Sequence, residues 1–329
     1  MEENKVHSFH IPVMGLAFSI DTPVKVARFG ISSVVSIVDD VLIEQMRKQY
    51  VLSRGETYEP IAPNDYDSRA RRITAYLNLL HRIVHEQIES LKASAFEKGS
   101  AIAKYFEMLA DHSPLKSLYR RMMQAKDAAT QKALEEELRT KIVAGDIDVN
   151  IMTKLDRLPP AKNDVQPPPE FSDALSSLRG FVKSDLRSSV VLSAGLNSRL
   201  FSYMAQFKEF LPDENGKFQK KVTLKVSDYR SAFIQGKILA KKGIWVSEYR
   251  IESGLNCGGH AFATEGDLLG PILEVFKEKR TELIQELHEL FCAALKERGA
   301  AIPASPLKIS VTVQGGIGTT QEDRFLFDY

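Results

Sequence analysis

Short apolar or β-branched runs alternate along this chain with stretches in which apolar residues recur every three to four positions. Residues 11–17 (IPVMGLA) read as a buried strand. Asp21, Thr22 and Pro23 open a short helix that Gly30 stops. Residues 32–38 (SSVVSIV) are β-branched and predict a second strand, and Asp39-Asp40 cap a helix running to about residue 50. Strand, helix, strand in this order predicts parallel pairing.

The rhythm then changes. Ile73, Leu77, Leu80, Val84, Ile88 and Leu91 lie on one stripe of a long helix. Ile102, Phe106 and Leu109 begin a second helix, and Leu134, Leu138 and Ile142 a third. Tyr105, Met108, Met122 and Met123 read as helix packing. This region predicts an inserted all-α subdomain. Strand–helix alternation resumes with strands at 147–153, 189–196, 222–227, 244–252 and 307–313. Between them lie a weakly helical stretch at 171–182, a helix at 228–241 and a long helix at 267–298, while five prolines within 159–169 mark an extended linker. Seven strands joined mostly by helices predict an α/β fold of the TIM (β/α)8 barrel type, truncated after the seventh strand–helix unit. A doubly wound open sheet is the rival. The expected domains are residues 1–54 (the first barrel units), 55–145 (the helical insertion) and 146–329 (the remaining barrel units).

Composition narrows the classes. The 329 residues carry 44 Lys+Arg against 43 Asp+Glu, so no global field favours nucleic acid or an anionic membrane. Two cysteines cannot build a disulfide framework, no apolar run reaches spanning length, and the N-terminus lacks the signature of a secretory signal. These features point to a cytoplasmic protein.

Barrel enzymes gather their chemistry at the carboxyl ends of strands. Those ends hold Met14-Gly15, Asn150 and Lys154, Ser193-Ala194-Gly195, Lys225, Gly258-Gly259-His260 and Gly315-Gly316. Two diglycine turns after consecutive strands suit a phosphate or flavin cradle, and equally suit tight strand-to-helix turns. His260 is a candidate base, against the plainer reading of a loop histidine. Cys257 reads as a small buried residue. His81 and His85 have metal-ligand spacing on a helix, but no glutamate of the zinc-protease motif lies between them, and a solvated face is the simpler reading. Trp245, at the start of a strand, most simply packs.

Taken in order, these strand ends resemble the nitronate monooxygenase (2-nitropropane dioxygenase-like) family of FMN-dependent barrels, which includes flavin-dependent enoyl reductases. The resemblance rests on residues 11–37, Asp148-Val149-Asn150-Ile151, the VVLSAGLN segment around Gly195, Cys257-Gly258-Gly259-His260 and Gly315-Gly316-Ile317. It implies FMN bound by Met14, Gly15, Asn150, Gly195, Gly258, Gly259, Gly315 and Gly316, with His260 abstracting a proton from a small-molecule substrate, a small carbon acid. Asn256 stands where the family has glutamate, and the family's eighth strand with its Gly-Thr phosphate contact has no counterpart in these residues. The alternatives are a non-redox barrel that binds a phosphorylated ligand, and an interaction module that docks a protein partner through the helical insertion.

Overall fold

The computed structural model describes residues 5–15, 18–151, 156–160, 167–193, 195–252, 269–315 and 317–328. It divides into two compact units. The first comprises residues 1–150 and 179–188, and the second residues 151–178 and 189–329.

The first unit contains strands β1 (His10–Ile11), β2 (Ser32–Ser36) and β3 (Ile147–Ile151), and helices α1 (Thr22–Val26), α2 (Asp40–Ser53), α3 (Ser68–Ala93), α4 (Ala101–Glu107), α5 (Pro114–Gln124) and α6 (Ala128–Thr140). A 3-10 turn, Ala27–Phe29, follows α1. The strands pair in parallel in sequence order, with His10 opposite Ser32 and Ser36 opposite Asn150. The first strand is shorter than its apolar run because Pro12 has no N–H to continue the ladder. Asp39 caps α2 by accepting from the amides of Val41 and Leu42. The stripe Ile73, Leu77, Leu80, Val84, Ile88 and Leu91 is buried, as its spacing predicts. α4, α5 and α6 close a cluster around Phe106, with Tyr105, Tyr119, Met122, Leu138 and Ile142 buried in it. Met108 and Met123 face outward instead. Gly145 lies so close to the chain before β2 that a Cβ there would stand 2.1 Å from the Ile31 carbonyl oxygen.

Helix α7 (Asp173–Val182) leads into the second unit's strands β4 (Ser189–Leu192), β5 (Lys221–Val226), β6 (Val246–Ile251) and β7 (Ser310–Val313). Helices α8 (Ser198–Met204), α9 (Tyr229–Ala240) and α10 (Leu269–Glu297) connect them, and α11 (Thr320–Asp328) follows β7. The four strands are parallel and again pair in sequence order. α8 has no strong apolar period in the sequence. The Asn197 side chain nucleates it by accepting from the Leu200 amide. Trp245 packs against Phe291 of α10 at 5.4 Å between centroids. The coarse reading of the sequence therefore holds: an α/β protein whose strands are parallel and helix-connected. Among the described residues, no helix is long and apolar enough to cross a membrane.

Candidate functional site

Strand β6 and the residue after it read Glu248-Tyr249-Arg250-Ile251-Glu252. Side chains alternate across a sheet, so the three charged residues share one face, and Tyr249 and Ile251 share the other. The parallel register extends both faces. Thr223 lies opposite Glu248 and Lys225 opposite Arg250 on β5, and Ser310 and Thr312 continue the charged face on β7. The opposite face carries Val222, Leu224, Val226, Tyr249, Ile251, Val311 and Val313. Tyr249 meets Phe276 of α10 there, at 6.4 Å between ring centroids.

The charged face has two layers. In the inner one Glu248 accepts from Thr223 Oγ1 at 3.2 Å, from Thr312 Oγ1, and from Arg250 Nε and a terminal guanidinium nitrogen at 3.0 and 2.9 Å. Arg250 is 1% exposed. Such a buried guanidinium persists only because a carboxylate neutralises it. The outer layer lies at the carboxyl ends of β5, β6 and β7. Lys225 Nζ donates to Glu252 Oε1 at 3.1 Å, and Gln314 Nε2 donates to the same oxygen at 2.9 Å. Backbone bonds from Glu252 N to Val226 O and from Gln314 N to Ile251 O hold the three strand ends together.

The first unit has a polar strand face of its own. Ser32 and Ser36 of β2, with Asp148 and Asn150 of β3, share it with His10 of β1. All but His10 are buried. At its carboxyl edge Ser19 ties the loop after β1 to β2. The Ser19 hydroxyl accepts from Met14 N at 2.8 Å, its amide donates to Gly15 O, and its carbonyl accepts from Ser36 N. Ile37 N then bonds Asn150 O. The structure thus gathers Met14, Gly15 and Asn150 along one edge of the first unit, with Met14 and Gly15 exposed.

Gly195 and Gly315 sit at the carboxyl ends of β4 and β7 in the second unit, both exposed, with φ of 128° and 79°. With Gly15 at φ 133°, these backbones occupy a region that favours glycine and leave their surroundings free of Cβ atoms. Lys154, Ala194, Cys257, Gly258, Gly259, His260 and Gly316 lie outside the described residues. The amides that open α11 are already engaged. Gly318 N and Thr319 N both donate to Glu322 Oε2 at 2.8 Å, and Glu322 N bonds Thr319 Oγ1, a capping box. These amides hold the Glu322 carboxyl below its usual range.

His81 and His85 are exposed on α3. Thr223, Glu248, Arg250, Glu252 and Gln314 were not singled out by motif, although the charged alternation in β6 carried the signal. A parallel strand covered on both faces reads as continuously apolar, and this one does not. No family model, curated protein or solved structure matches this chain.

Proposed function

We propose that the chain forms the first seven strand–helix units of a (β/α)8-type barrel that binds FMN and oxidises a small carbon acid, in the manner of the nitronate monooxygenase-like enzymes it resembles. The observation that carries the reading is the charged strand face ending in Lys225, Glu252 and Gln314. Within each unit the strand order suits a barrel segment and half of a doubly wound sheet equally. A doubly wound sheet, however, buries both faces under helices and needs both apolar. One apolar face and one charged face suit a barrel, whose inner face leads to a ligand at the carboxyl ends.

The described strand ends of the second unit support the cofactor reading. In the second unit the glycines at positions 195 and 315 offer open backbone at strand ends, where a phosphate and ribityl chain need close approach. Lys225 and Gln314 offer a cation and an amide, the donor types that the pyrimidine edge of a flavin ring requires. In this proposal the resemblance assigns the FMN contacts to Met14, Gly15, Asn150, Gly195, Gly258, Gly259, Gly315 and Gly316, and Lys225 favours added negative charge on the cofactor. FMN, when bound, supplies the acceptor for an electron pair. His260 takes the substrate's acidic C–H proton on a ring nitrogen, and Glu252 keeps the Lys225 ammonium oriented.

The test is the visible spectrum of the purified full chain, followed by FMN titration. A yellow protein or saturable FMN uptake is expected, weakened about tenfold or more by Lys225→Met, the loss typical of one charge-assisted contact. A colourless protein that takes up no FMN but is stabilised by sugar phosphates moves the assignment to a non-redox phosphate binder. One stabilised by neither removes both.

A further inference from the structure

A cleft of about 310 Å³ opens in the first unit, well away from the strand carboxyl ends. Arg28 forms one wall from the 3-10 turn, Arg54 another from the end of α2, and Glu86, Gln87, Ser90 and Ser94 a third along and just past α3. Arg28 precedes the amino end of β2, so the cleft lies at the opposite end of that strand from Ser36 and the Met14–Gly15 loop.

Its charges do not balance. Arg54 pairs with Glu56 and Glu86, and Arg82 pairs with the same two carboxylates. Two cations and two anions are thereby used up. Arg28 has no carboxylate partner among the described residues. Its guanidinium carbon stands 4.9 Å from the centroid of the Phe29 ring. Its Nε is buried without a hydrogen bond, and so is Gln87 Oε1, while Gln87 Nε2 is held by the Val24 carbonyl. A buried donor and a buried acceptor left unpaired destabilise the empty site. Ser94 already donates to Leu91 O and keeps its lone pairs for an incoming donor.

We infer that this cleft binds a small oxyanion bearing a hydroxyl group, of the phosphate monoester class. The oxyanion pairs with Arg28, whose planar fork matches phosphate oxygens, and the hydroxyl meets the polar wall that Gln87, Ser90 and Ser94 form. The volume suits a ligand of metabolite size and lies at the low end for such sites. The site is independent of the flavin reading and shares none of its residues.

The experiment titrates the full chain with glycerol 3-phosphate at constant ionic strength, using calorimetry and amide chemical shifts, with inorganic phosphate and glycerol as separate arms. Saturable binding of glycerol 3-phosphate is expected, tighter than inorganic phosphate, with none for glycerol. Arg28→Gln should weaken it about tenfold or more, as loss of a charge-assisted pair does. Ser90→Trp, an exposed position on the rim, should block it and decides the matter if the Arg28 variant does not fold. Lys225→Met should leave it unchanged, which separates this cleft from the strand-end site. Absence of saturable binding, or binding that Ser90→Trp leaves intact, overturns the inference.

Discussion

Glu248 and Arg250 offer the sharpest energetic test of the charged face. Removing one member of a buried pair leaves the other charge uncompensated, which typically costs about 3–5 kcal/mol. Replacing both with apolar groups of similar volume removes the desolvation problem and is often neutral. Arg250 at 1% exposure and Glu248 at 9% meet the burial condition. Glu248→Leu should therefore destabilise by about 3–5 kcal/mol, since it strands Arg250 and also frees Thr223 and Thr312. Glu248→Leu/Arg250→Met should lose about 1–2 kcal/mol, mainly from the two hydroxyls left without their acceptor. The chain's one tryptophan, Trp245, is buried just before β6, so its fluorescence reports urea unfolding of the second unit directly. Free energies come from the midpoints at unchanged slope. If the single variant unfolds at the parental midpoint, or the double variant is as unstable as the sum of the singles, the two charges do not neutralise each other in the folded core.

Three further outcomes follow from local geometry. A Cβ on Gly236 would stand 2.2 Å from the Tyr249 hydroxyl and 3.0 Å from Leu287 Cδ1, so Gly236→Ala should destabilise by about 1–3 kcal/mol, with partial rescue by Tyr249→Phe, since that buried hydroxyl has no hydrogen-bond partner among the described residues. Burial pushes His7 below its usual imidazole range against the opposing Phe29 carbonyl, so the unfolded chain takes up the proton first; stability should fall as pH drops below about 6.5, and His7→Gln should flatten that slope in urea titrations from neutral to acidic pH. His260→Ala should retain flavin while turnover of a neutral nitroalkane, whose C–H proton the imidazole must remove, falls by about 10²-fold or more, and unchanged turnover would remove the imidazole from the reaction.

The elements whose burial is one-sided were legible from the chain alone. The α3 stripe is spaced so that a single face packs, and all six of its predicted apolar positions are buried. Strands β2 to β6 announced themselves by β-branched runs between capping residues, because propensity and burial act in the same direction there. β1 is shorter than its apolar run because Pro12 cannot donate a ladder hydrogen bond, a stop that the sequence itself carries. α8 was missed because its start depends on one side chain, Asn197, rather than on any repeat.

The site shows a different limit. Glycine pairs and a histidine form contiguous motifs, whereas Lys225, Glu252 and Gln314 are 27 and 62 residues apart in sequence and converge only through strand register. No window along the chain contains all three. A register-aware reading would still have found them. Once β5, β6 and β7 are taken as consecutive parallel strands, every second residue falls on a common face, and Thr-x-Lys, Glu-x-Arg-x-Glu and Thr-x-Gln line up into two charged rows. A face of that kind is expensive to bury unless the rows neutralise each other. The inner row does so with Glu248 and Arg250 deep in the strand. The outer row does so with groups that still hold unused donors: Lys225 has three N–H bonds and gives one to Glu252. The inner row thus accounts for how the sheet tolerates charge, and the outer row, at the strand ends, is the one the proposed ligand would meet.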